Sequence, residues 1–173
     1  MNYGIYKTAR NASWQCLIDC NVDSLPVKPV DIAKHYNIKC KKMSSDKLDC
    51  PAKIKTVLGQ PYILYNADSI KERQRYSIMH ELGHYLLGHS DYSEENEYQA
   101  ERFAIDVLAP ACVLWGLNLH TAEEISRACN ISMTSAKRRA ERMAVLYDRN
   151  MFLSHPLERQ VFIQFKKFID QNK

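Results

Sequence analysis

At 173 residues, with 46% hydrophobic content and a net charge of +4, the chain is long and apolar enough for one domain with a real core, or one domain and a small appendage, which excludes a disordered or fibrous protein. The positive excess is mild and partly local, in KCKKM at 39–43 and KRRAER at 137–142, so it does not by itself imply nucleic acid. No apolar run approaches the ~20 residues that cross a bilayer, and MNYGIYKTARNASWQC lacks the basic-then-apolar order of a secretory signal; the expected location is cytoplasmic, with Cys16, Cys20, Cys40, Cys50, Cys112 and Cys129 as reduced thiols.

Residues 3–20 have loosely helical apolar spacing, with Tyr6, Ala9, Trp14, Leu17 and Ile18 facing inward. Pro26 and Pro29 then break the chain, and Val30, Ile32, Ala33 and Tyr36 predict a short helix before a strand near 37–42. A turn at Asp46–Pro51 leads to KIKTVLG and PYILYN, both predicted strands, the second apolar enough to be buried. Asp68 or Ser69 is the expected cap of the next helix. HSDYSEENE is a polar loop, and a helix from near Glu94 ends before Pro110 with Ala100, Phe103, Ala104, Val107 and Leu108 on its apolar face. An apolar segment at 111–120 follows. Thr121 and Glu124 form a capping box for a short helix, Asn130 takes a left-handed turn, residues 134–147 form another helix, and LERQVFIQFKKFIDQNK docks as a closing helix.

The chemistry lies in YSIMHELGHYLLGH, residues 76–89, where His80, Glu81 and His84 form H-E-x-x-H within a helical pattern. Residues four apart on a helix differ by about 40° around its axis, so both imidazoles converge on one cation while Glu81 leans over the same edge. This is zinc-hydrolase geometry: the metal (Zn2+) activates a water and polarises a carbonyl, and Glu81 carries the proton. Met79, Leu82, Tyr85 and Leu86 supply a buried edge, and Gly83 implies the close passage of a backbone or substrate.

A catalytic zinc takes a third protein ligand. His89 competes for that place, but H-E-x-x-H-x-x-G-x-x-H would need Gly where Leu87 stands and His where Ser90 stands. A helix continued to His89 would turn it about 180° away from His80. Glu97 is favoured, on a second helix and one turn before Glu101, which then accepts a hydrogen bond from the far nitrogen of a ligand histidine. Glu94 is the next candidate, and a solvated acidic helix start is the plain alternative. Tyr98, Tyr92 and His120 are candidates for stabilising an oxyanion.

RQRYSIMHELGHYLLGH followed by ENEYQAERFAIDVLAP resembles the ImmA/IrrE family of zinc metallopeptidases, as do LPVKPVDIAKHYNIKC and the strand PYILYN, over roughly residues 20–145. The resemblance implies zinc on His80, His84 and Glu97 with Glu81 as general base. Gln99 stands where the family has an acid, and Glu101 where it has Asn or Asp. The implied function is a narrowly specific cytoplasmic endopeptidase of mobile elements or stress responses, cleaving a helix-turn-helix repressor. Many relatives carry their own N-terminal DNA-binding domain; its absence here points to a separate repressor, encoded nearby.

A rival reading starts from TAEEISRACNISMTSAKRRAERM: two short helices around Asn130, with Ser126 and Ala136 at packed positions and Lys137, Arg138, Arg139 and Arg142 on the second. That pattern suits a helix-turn-helix DNA-binding module, although a basic helix face is more often simply solvated. A third reading is a proteolytically silent metal-dependent sensor. The expected fold is α+β: a zincin-like core at 1–110, with a small mixed or antiparallel sheet packed on the H-E-x-x-H helix, and a helical subdomain at 111–173.

Overall fold

The structure, a computed structural model, describes residues 3–173. Contacts group the chain into two compact units, Met1–Ala12 with Lys28–Ala104 and Ser13–Val27 with Ile105–Lys173. The opening helix α1 (Tyr3–Asp19) contributes to both. The fold is mixed α+β, with a small sheet and a helical C-terminal part.

In the first unit β1 (Lys39–Met43), β2 (Ala52–Val57) and β3 (Gln60–Asn66) form one mixed sheet in the order β1-β3-β2. The apolar PYILY stretch explains the central place of β3, which pairs parallel to β1 and antiparallel to β2. The lysine-bearing β2 suits an edge. Leu58 and Gly59 close the β2–β3 hairpin with φ of 49° and 77°, the positive pair that matches strand twist in a two-residue turn.

Two helices lie on this sheet. α2 (Pro29–His35) starts with proline, whose missing N–H costs nothing there, and packs on β1 and on α3 (Lys71–Leu86). α3 also rests on β2 and β3, burying Ile78, Met79 and Leu82. Tyr85, expected inside, is 44% exposed. The expected cap is also absent: α3 starts after Ile70 with no side-chain cap. The Asp68 carboxylate instead accepts from the backbone N–H of Ser45, at 2.9 Å, and from its hydroxyl.

α4 (Glu94–Leu108) starts where the polar loop ends, with Ser93 Oγ accepting from the Asn96 N–H at 3.1 Å. Ala100, Phe103 and Ala104 are fully buried. α3 and α4 touch at Gly83, where a Cβ would lie 3.0 Å from Phe103 Cδ1 and 3.2 Å from Ala100 Cα. The backbone whose passage Gly83 implied is that of Ala100.

The second unit holds α5 (Ala111–Gly116), α6 (Ala122–Cys129), α7 (Met133–Asp148), α8 (Pro156–Gln164) and α9 (Lys166–Gln171). The Thr121/Glu124 capping box forms, and Asn130 takes φ 51° between α6 and α7. The closing segment is two helices rather than one. The helical hydrogen bonds still run through the junction, Phe165 N–H to Val161 O and Ile169 N–H to Phe165 O, and Val161, Phe165 and Ile169 share one buried face.

Candidate metal centre and catalytic cleft

His80 and His84 lie one turn apart on α3, and their Nε2 atoms are 3.1 Å from each other. Glu97, from the first turn of α4, spans both, with Oε2 3.3 Å from His80 Nε2 and Oε1 3.3 Å from His84 Nε2. Among the described residues these three make the one group of metal-binding side chains whose ligand atoms all lie within 4.8 Å of one another.

Burial, more than the neighbouring imidazole, pushes the His80 pKa below its ordinary value, with Glu97 opposing. Burial also lowers that of His84, again against Glu97. Neutral imidazoles are the ligand form. With both Nε2 atoms unprotonated, two such rings and one carboxylate would place lone pairs around a single point, the arrangement that a cation relieves. The donor set, two nitrogens and a carboxylate, therefore fits a zinc-type ion.

Glu81 sits beside this group and accepts a hydrogen bond from the Ile54 N–H of β2 at 2.8 Å. Burial raises its pKa from 4.5 to about 7, with the Ile54 N–H pulling the other way and Glu97 adding a smaller push upward. A carboxyl poised near neutrality can both take and return a proton. A cleft of about 240 Å³ opens over Glu81 and His80, lined also by Pro51, Ala52, Arg73, Tyr76 and Glu101.

The contact expected of Glu101 is not formed. His80 Nδ1 is buried with no hydrogen-bond partner, while His84 Nδ1 lies 3.0 Å from His89 Nδ1. Glu101 borders the cleft instead. Glu94 does not join the three converging side chains. Of the oxyanion candidates, Tyr92 is 79% exposed, His120 pairs with Asn118 and packs on Tyr147, and neither they nor Tyr98 lines the cleft.

Tyr76 does line it, with its ring stacked on His80 at 6.2 Å. It stands four residues before His80, a spacing that marks it in the sequence as sharing the histidine face. His89, weighed in the sequence only as a ligand, and Gln99, noted only as a departure from the family's acid, also lie at the site, His89 beside His84 and Gln99 against His89. In the second unit Arg139 of α7 is buried, donating to Asp106 and, at 2.9 Å, to Ile105 O. It is therefore not the phosphate contact that the DNA-binding reading required, whereas Lys137 and Arg138 are exposed.

An H-E-x-x-H helix on a small mixed sheet, with an acid from the next helix facing both histidines, defines the class: a metallopeptidase-type fold. Residues 33–141 match the family model Peptidase_M78, the IrrE N-terminal-like domain. The match covers more than half of the chain, and the protein belongs to that family. No curated protein matches it.

Proposed function

We propose that the protein is a zinc-dependent endopeptidase in which His80, His84 and Glu97 hold the ion and Glu81 is the general base. The observation carrying this reading is the convergence of Glu97 on both histidine Nε2 atoms, with Glu81 hydrogen-bonded at the edge of an open cleft. When bound, the ion supplies Lewis acidity toward a water and a peptide carbonyl. Glu81 accepts the proton of the attacking water and passes it to the leaving amide nitrogen as the C–N bond breaks. The Ile54 N–H holds one carboxylate oxygen, Oε2, and so fixes the orientation of the group.

The proposed substrate is a protein, a helix-turn-helix repressor of a mobile element or stress response encoded near this chain, and the proposed setting is the cytoplasm. The family resemblance supports both; among the described residues no helix is long and apolar enough to cross a membrane. The test combines purified protein with the product of a neighbouring repressor frame. One zinc per chain and cleavage at a single site are expected, with cleavage lost but metal kept in Glu81→Gln, and metal lost in Glu97→Ala. Cleavage surviving in Glu81→Gln would overturn the mechanism.

A further inference from the structure

α3 ends in a turn that brings His89 back to the metal centre. Gly88 takes φ 71°, its N–H bonds to Tyr85 O at 3.2 Å, and the His89 N–H bonds to His84 O at 3.0 Å. This is the paired closure of a left-handed helix cap, for which glycine is suited. His89 is thereby folded over His84, with ring centroids 5.1 Å apart and planes at 74°.

A directional chain of hydrogen bonds follows from that placement. Gln99, buried on α4, directs its Nε2 to the carbonyl of Ile5 at 3.4 Å. Its Oε1 therefore faces His89 Nε2 at 2.9 Å and can only accept. His89 Nε2 carries the hydrogen, and on a ring with a single hydrogen Nδ1 is left as an acceptor. Across 3.0 Å, His84 Nδ1 must then be the donor. The His84 Nε2 lone pair is left free on the side of His80 and Glu97.

We propose that His89 and Gln99 are positioning residues that lock His84 in its Nδ1–H tautomer and present Nε2 to the metal, the chain being anchored on the Ile5 carbonyl. The proposal rests on the metal-site reading above. It also gives a role to glutamine at position 99: a neutral amide oriented by a main-chain carbonyl accepts from His89 and adds no charge beside the ligands. Such outer partners of ligand histidines typically contribute about 10–100-fold to metal affinity.

The test uses the full chain, with His89→Phe and Gln99→Leu. In the metal-free protein, ring 15N shifts should show His84 as the Nδ1–H form in wild type and a shift toward Nε2–H in both variants. Zinc affinity by chelator competition should fall about 10–100-fold in both. An unchanged His84 tautomer, or unchanged zinc affinity in both His89→Phe and Gln99→Leu, would overturn the relay. Wild-type protein that binds no zinc would instead overturn the metal-site reading and the relay's purpose with it, while the 15N shifts would still report whether the tautomer is set. A variant that fails to fold is replaced by the other, since they act on different links of the same chain.

Discussion

The backbone N–H of Ile54 and the carboxylate of Glu81 are joined across 2.8 Å, which ties the edge strand β2 to the proposed general base. Lys53 and Lys55 stand opposite Leu64 and Tyr62 of β3, while the Ile54 N–H points off the ladder to Glu81. A proline at 54 therefore removes the donor without removing a β2–β3 bond, the circumstance in which an edge strand tolerates it. Because that N–H lowers the Glu81 pKa, Ile54→Pro should raise it above its already elevated value. A carboxyl 13C titration of the metal-free protein would show this; an unmoved midpoint would mean that the contact has no electrostatic weight.

Gly83→Ala sets helix propensity, a gain of about 1 kcal/mol, against a collision. The new methyl would stand 3.2 Å from Ala100 Cα and 3.0 Å from Phe103 Cδ1, and overpacking of this kind costs about 1–3 kcal/mol. Glu97 lies one turn before Ala100, so displacement of α4 also moves it from the histidines. Modestly lower thermal stability and a clear loss of zinc affinity are expected. Full zinc affinity in a folded variant would contradict this.

Arg139 and Asp106 form a buried ion pair, their side chains 1% and 7% exposed. Removing one member of such a pair costs about 3–5 kcal/mol, because the other charge stays buried without it. Asp106→Ala should show that loss in denaturant unfolding, whereas Arg138→Ala on the exposed face should change stability little.

Burial pushes the Cys40 pKa from 9.0 to about 11. At pH 8 that leaves about 100-fold less thiolate than an unshifted thiol, and the thiolate is the reactive form. Iodoacetamide labelling followed by mass spectrometry should find Cys40 slower than a free thiol by about that factor or more.

The Glu124 pKa is lowered from 4.5, first by the Thr121 N–H and then by the His120 N–H. For an acid with a depressed folded pKa, the stabilisation is present above the unfolded value of 4.5 and is lost as pH falls through the folded one. The amide resonances of Thr121 and His120 should therefore shift together at a midpoint below 4.5, and a midpoint above it would contradict the assignment.

The parts of this fold legible in the sequence are those set by local periodicity. The His80–His84 spacing fixes an angle, the continuous apolar run PYILY marks a buried strand, and the Thr121/Glu124 pair writes its own cap. Long-range capture was not legible. Asp68 is taken by Ser45, 23 residues away, so its capping pattern misleads. His89 failed for a different reason: extending the helix through it gave the wrong direction, although the Gly88–His89 pair is itself a helix-stop signal. One left-handed residue reverses where the next side chain points.

The division of the ligand set between α3 and α4 has a thermodynamic consequence. In the proposed ligation, the ion fastens His84 to Glu97 and closes the intervening segment 85–96 into a ring, which removes loop entropy from any state that keeps the metal. Each tenfold rise in free zinc above the dissociation constant then adds about 1.4 kcal/mol against opening of that ring. Zinc supply would thus set how often this segment is exposed to cellular proteases, making the lifetime of the protein, and not only its activity, a readout of available metal.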